Sequence, residues 1–392
     1  METKKVYIEP TWKLHIGYHV KELIPYPPEG YEFVTRGGWD ERFFDRASTR
    51  GVASSLSDWA AYHIPLFLIK SYVDRFTKKP PDARLTYSCH HLVFRNEPWL
   101  VEIGRIWEMI GHSPKHFYRY KGIIERAFAS ENCKRVLCFT EFSRKTCISV
   151  LDCQGFEHKI DVLPRAVHAK KFTKNHKRDG VRFLFVGSAN LAGLFEYRGG
   201  KEVLEAFSIL SRRYKNLELV IRSDIPPALK QRYDQVLAQP NVTVLEGFLP
   251  WGQVEEIYQQ SDLFFFPCHY ESWQIILEAL SYELPVIAID LEGVSEFLKD
   301  GESGFLVSEA EGVPSIQNGL PLANASPQVR KALRRTDSRL VQNLVEKASI
   351  LIEDGALRRR MGAAGRWQVE EGDCSLQRRK AKLKEVFDQA TS

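Results

Sequence analysis

The chain has 392 residues, 44% of them hydrophobic and 27% charged, with a formal net charge of +5. It is too long for one ordinary core and too mixed to stay disordered, so two domains are the default. No apolar run reaches the roughly 18 residues of a spanning helix, and the opening Met-Glu-Thr-Lys-Lys lacks the apolar stretch of a secretory signal, so a soluble, cytoplasmic protein is expected. The seven cysteines are odd in number and contain no Cys-x-x-Cys, which reads as reduced core residues and not as a disulfide framework or metal site.

Charge is unevenly divided. Residues 1–175 carry 28 Lys+Arg against 20 Asp+Glu, and the remainder carries 27 against 30. A basic first half suits an acidic acceptor or an anionic bilayer surface, while a merely solvated face would look the same. No nucleic-acid-binding motif accompanies the charge, so nucleic acid is not an expected partner.

In chain order, Trp12, His15, Trp39 and Asp40 fall on glycine- and aromatic-rich stretches whose composition suits stacking on a sugar or packing in a core. Arg84–His91 and Pro98–Gly104 read as successive strands with polar residues arriving at their ends, which makes His90, His91 and Glu102 candidates for a cleft. Val136–Thr140 is a strand pattern, Glu141 opens a helix, and Lys159–Pro164 is another strand. It leads into a basic tract, 170–179, that reads as a linker.

Beyond it, strands at 181–186, 217–221, 242–245, 263–266 and 285–289 alternate with helical patterns at 202–214, 226–237, 253–260 and 273–282. This is the βαβ period of a doubly wound parallel sheet. Helical patterns return at 339–353, 356–371 and 376–389 after an irregular excursion. The domain reading is therefore 1–170, 171–370 and a final helix in 371–392.

In such a sheet ligands sit beyond the carboxyl ends of strands, where a helix start offers free N–H groups to an anion. The segment Asp262–Leu280 has that form, with Glu271 in its loop and Glu278 in its helix. A diphosphate would suit the N–H groups around Ser272–Ile275, including Trp273 and Gln274, and Glu278 would accept hydrogen bonds from ribose hydroxyls. A second small-residue loop, Gly187-Ser188, precedes Arg198-Gly199-Gly200-Lys201, whose cations would neutralise a phosphate. A triphosphate P-loop fails on spacing, because six residues separate Gly193 from Gly200-Lys201 and Glu202 stands where Ser or Thr must ligate magnesium. A dinucleotide oxidoreductase fails too, since no Gly-x-Gly-x-x-Gly follows a strand.

These residues resemble the retaining glycosyltransferases of family 4, which have the two-domain GT-B architecture. The family signature is Glu, seven residues, Glu, then Ala and Pro-Val-Ile. Here Glu278-Ala279-Leu280 runs into Pro285-Val286-Ile287, followed by Glu292-Gly293-Val294-Ser295-Glu296. Only six residues separate Glu271 from Glu278, and Gln274 stands near a usual glycine. The resemblance implies two Rossmann-like α/β domains facing a cleft, with the C-terminal helices returning to the first. It places Arg198 on the lysine that grips the donor diphosphate and Ser188 where a second cation is usual, leaving Lys201 or Arg222 to compensate. Glu246, Gly247 and Phe248 take the place of the strand end beside the nucleobase, with Arg222 and Ser223 on the preceding one. Gly104 replaces a histidine that lies near the transferred sugar in many relatives.

The implied activity is metal- and cofactor-independent hexosyl transfer from a nucleotide-diphosphate sugar, UDP- or GDP-linked, to a glycan, lipid-linked or small-molecule hydroxyl. Glu271 would orient the sugar, and contact with an anionic membrane through the basic first domain is a further expectation. A sugar-nucleotide epimerase on the same fold and a catalytically silent binding relative stand as alternatives.

Overall fold

The computed structural model describes residues 3–9, 24–35, 64–111, 114–175, 179–187, 194–270, 273–310, 316–317, 320–321 and 327–392. Two six-stranded sheets, parallel throughout, dominate it. The first comprises β1 (Lys4–Glu9), β2 (Tyr31–Val34), β3 (Ala83–Cys89), β4 (Trp99–Ile103), β5 (Cys133–Cys138) and β6 (Ile160–Val162), in the order β2-β1-β3-β4-β5-β6. The second comprises β7 (Val181–Val186), β8 (Leu217–Arg222), β9 (Val242–Leu245), β10 (Leu263–Phe266), β11 (Val286–Ile289) and β12 (Gly304–Val307), in the order β12-β11-β10-β7-β8-β9.

The central strands are apolar because both faces are covered, as parallel sheets require. Phe183, Phe185, Leu263–Phe266 and Val286–Ile289 are all buried in one cluster with the inner faces of the helices Gly200–Arg213 and Ser338–Glu353. The helical pattern at 226–237 resolves into two short helices, Pro227–Arg232 and Asp234–Leu237, that meet at Tyr233. The irregular excursion holds a two-stranded antiparallel pair, Ile316–Gln317 with Leu320–Pro321, before the helix Pro327–Ala332.

Of the C-terminal helices, Ser338–Glu353 and Gly355–Glu370 stay on the second sheet, and the last, Leu376–Thr391, returns to the first. Its Leu383, Val386 and Phe387 are buried with Val6, Leu85 and Tyr87, and Asp388 accepts a 2.7 Å hydrogen bond from the Tyr31 hydroxyl. The two passages between the halves run side by side, joined by a bridge between Val167 and Ser375. All seven cysteines are buried and none forms a disulfide; burial pushes the Cys133 thiol up to about 12.

The carboxyl edges of the two sheets face each other. Arg105, just past β4, makes a doubly hydrogen-bonded ion pair with Glu292 past β11, both contacts 2.7 Å and both side chains buried. Glu296 caps the helix Glu141–Val150 from the opposite half, accepting from the Glu141 and Phe142 N–H groups at 2.6 and 2.8 Å. A carboxylate at a helix N-terminus satisfies otherwise orphaned donors and complements the dipole.

Candidate active site

Strand order in the second sheet reverses between β7 and β10, and the crevice beyond a reversal is where open α/β sheets bind ligands. Two glycines bring the flanking loops close. A β-carbon on Gly187 would lie 2.2 Å from Ser223 Oγ, and one on Gly199 would lie 2.2 Å from the Pro267 carbonyl oxygen. Gly199 also has φ +81°, which other residues rarely adopt. The turn carrying Arg198 is thereby pressed onto the end of β10, with the guanidinium over the Tyr270 ring at 5.0 Å and the Phe266 ring at 5.6 Å.

Arg198, Arg222 and Glu278 come from three separate elements, yet all three act on one group, the buried Tyr258 hydroxyl. Burial raises its pKa most, Glu278 raises it further, and Arg222 and Arg198 pull it down. Arg222 is half-buried, and that burial lowers its own pKa. Arg198 precedes the helix Gly200–Arg213, Arg222 ends β8, and Glu278 lies in the helix Trp273–Ser281 that follows β10.

Glu278 is 3% exposed, and its Oε1 lies 2.9 Å from Lys170 Nζ. Lys170 belongs to the passage between the halves, and its ammonium also lies over the Trp251 and Tyr282 rings at 5.5 and 5.4 Å. Nothing local in the sequence marks Lys170, since it is one of several lysines in a basic tract. Phe248 and Trp251 are exposed aromatics along the same edge. Glu246 is occupied in shaping the loop, accepting from Ile225 N–H at 3.0 Å and Lys230 Nζ at 2.6 Å. Gly247, at φ +71°, donates its N–H to Asp224 Oδ1 at 2.7 Å. Ser223 is fully buried and donates to the Asp224 carbonyl at 3.0 Å.

Glu271, Ser272 and Ser188 lie outside the described residues, as do Trp12, His15, Trp39 and Asp40. The side chain of Trp273, whose backbone N–H is the group expected at the diphosphate, serves the contact between the halves. Its buried ring meets Phe139 edge-on at 5.9 Å, and its Nε1–H donates to the Glu292 carbonyl at 3.1 Å. Gly104 is explained by the same ring, for a β-carbon there would lie 2.9 Å from Trp273 Cζ3. Gln274 donates to the Ala166 carbonyl at 3.5 Å, and its Oε1 is buried with no hydrogen-bond partner among the described residues. Ile275 is partly buried on the next position of the helix Trp273–Ser281.

Three expectations are corrected. Lys201 does not face a phosphate: it is 0% exposed, and its ammonium donates to the Leu333 and Arg335 carbonyls and pairs with Glu196 at 3.5 Å. It sits on the inner face of its helix, where an amine must be satisfied by fixed oxygens. Glu102 does not enter the crevice, being fully buried and ion-paired with Arg379 of the last helix. His91 is interior, packed against Phe67 at 5.5 Å.

His90 is the first-sheet candidate that stays at the edge. It has φ +57°, its ring meets Phe139 at 5.5 Å, and its Nδ1 lies 2.9 Å from Glu108 Oε2. Glu9, which the sequence reading passed over, ends β1 at the reversal point of this sheet. It is buried 3.5 Å from Arg95, and burial lifts its pKa to about 8 against the pull of Arg95.

Two facing Rossmann-like domains with a cationic crevice at one strand reversal define a GT-B protein. A profile of the glycosyl transferases group 1 family matches residues 168–336, so that segment is similar to a domain of that family. An alpha-D-kanosaminyltransferase of Streptomyces kanamyceticus is 26% identical over 139 residues, covering 35% of this chain and 36% of that protein. The capsular polysaccharide biosynthesis glycosyltransferase CapM of Staphylococcus aureus is 23% identical over 177 residues, covering 44% and 38%. The matches therefore span little more than a third of these relatives' lengths. In three dimensions, Anabaena Alr3699/HepE, solved with UDP and glucose, superposes with a TM-score of 0.59 at 13% identity, covering 99% of this chain and all of that one.

Proposed function

We propose that the protein is a retaining glycosyltransferase that moves a sugar from a nucleotide-diphosphate donor, UDP- or GDP-linked, to a hydroxyl of a carbohydrate, lipid-linked or small-molecule acceptor. The observation that carries the reading is the pressing of the Arg198 turn onto the end of β10, at the strand reversal of the second sheet, with Glu278 on the helix that follows that strand. The relatives named as glycosyltransferases and the UDP-bound neighbour support the donor class.

Breaking the anomeric bond leaves positive charge on the sugar and negative charge on the diphosphate, so fixed cations at the diphosphate give the largest gain. Arg198 and Arg222, with the start of the helix Trp273–Ser281, would supply it without a metal. Glu278, its charge balanced by Lys170, would hold the ribose hydroxyls, while Phe248 and Trp251 would offer stacking surface for a base. Glu271 would orient the sugar.

Calorimetry with nucleoside diphosphates tests this. Glu278→Ala should lose charge-assisted bonds of about 1.5–3 kcal/mol, roughly one to two decades of affinity. Wild-type affinity in that variant would remove Glu278 from the site. Turnover should also survive chelators; its abolition by EDTA, with restoration by a divalent cation, would overturn the metal-free reading. Conversion of donor with no acceptor present would favour the epimerase instead.

A further inference from the structure

The helix Leu66–Asp74 is apolar on both of its faces. Phe67 and Leu68 turn inward with Ser71 and Asp74, while Ile69, Tyr72, Val73 and, just past the helix end, Phe76 stand outward. The spacing i, i+3, i+4, i+7 makes these four one continuous stripe, and Ile64 is exposed before it. A surface helix ordinarily carries its polar residues on this side. Isolated exposed apolar side chains are commonplace, but here Phe76 is 85% exposed and Val73 49%, on one stripe.

Within residues 64–79 the exposed charges are basic. Arg75 and Lys78 are exposed, and Asp74, the only acidic residue between positions 64 and 79, is buried. The helix is held firmly, since its inner face packs on the turn Ile106–Met109 and Tyr72 stacks on Phe94 at 4.1 Å. On the inner face, Phe67 touches His91, which adjoins the edge residue His90.

We propose that this face docks on an anionic lipid bilayer, with Ile69, Tyr72, Val73 and Phe76 entering the headgroup–acyl boundary and Arg75 and Lys78 meeting anionic headgroups. Aliphatic and aromatic insertion flanked by cations is the pattern of interfacial anchoring. One short helix offers far less than the roughly 800 Å² a side of a stable protein–protein interface. Among the described residues no helix is long and apolar enough to cross a membrane. The proposal is independent of the donor reading, because it concerns no residue of the crevice.

The test is co-sedimentation of the full chain with vesicles of phosphatidylcholine alone and of phosphatidylcholine with phosphatidylglycerol, without donor or acceptor. The protein should sediment with the anionic vesicles, and less so as salt is raised. Combined Ile69→Ser, Val73→Ser and Phe76→Ser should weaken binding at least roughly tenfold, and combined Arg75→Ser and Lys78→Ser should remove the preference for anionic lipid. Both variants should keep the wild-type melting temperature, because the side chains are exposed. All seven native cysteines are buried, so a polarity-sensitive dye on Phe76→Cys should report the surface alone, shifting to the blue only with anionic vesicles. Absence of sedimentation by the wild type, or equal sedimentation of the triple-serine variant, overturns the proposal. So does a wild-type dimer that the triple-serine variant dissociates with no vesicle binding, which would assign the face to a second copy.

Discussion

The two sheets are built alike but spend the charges at their carboxyl edges differently. At the second sheet, Arg198 precedes the helix Gly200–Arg213, Arg222 ends β8, and Glu278 pairs with Lys170 at 2.9 Å. At the first, Glu102 is consumed by Arg379, Arg105 by Glu292, and His90 is held by Glu108. One edge sets Arg198 over the Tyr270 and Phe266 rings. The other uses charge to seat the last helix and to join the halves. Charge at a strand end is thus no sign of a ligand until its partner is known.

The largest effect expected of this contrast is on stability. Glu102→Ala strands a buried arginine and should cost about 3–5 kcal/mol in denaturant unfolding, whereas Glu102→Leu with Arg379→Met should regain most of it. A loss below about 1 kcal/mol would show that the pair is not the anchor of the last helix.

Next in size is the separation of two neighbouring cations. Arg198→Ala should lower nucleotide affinity or turnover roughly 10- to 100-fold with little change in melting temperature. Lys201→Ala should do the reverse, because its ammonium holds the carbonyls of Leu333 and Arg335. Equal effects of the two on turnover would break the distinction between crevice and scaffold.

The smallest effect is a slope with pH. Glu9 has its native pKa lifted to about 8 from 4.5. Between those values the native state keeps a proton that the unfolded chain has released, so the contribution of this group to stability falls as pH rises from about 4.5 to about 8. Thermal unfolding measured at several pH values should show Glu9→Gln flattening that fall. An unchanged slope would mean that another group carries it.

Much of the second sheet was legible. Leu263–Phe266 and Val242–Leu245 match the expected strands residue for residue, and the helix expected at 273–282 is Trp273–Ser281. Burial on both faces writes each strand as an unbroken apolar run, and the covering helices carry the contrasting period. The first sheet was read only in part. β1 is a six-residue strand that begins with two lysines, and the outward stripe of Leu66–Asp74 has no polar side to show the period. Among the candidate residues, Arg198 and Glu278 could be placed from motif and register, but Lys170 could not.

The sequence by itself determined the class of fold and five of the six strands of the second sheet, because these depend on local periodicity. Tertiary structure alone decided which charges are consumed in pairs between distant elements. Arg105 and Glu292 are 187 positions apart and Glu102 and Arg379 are 277 apart. Such pairs carry no local pattern, since an ion pair needs only proximity in space, and the packing of distant elements creates that proximity.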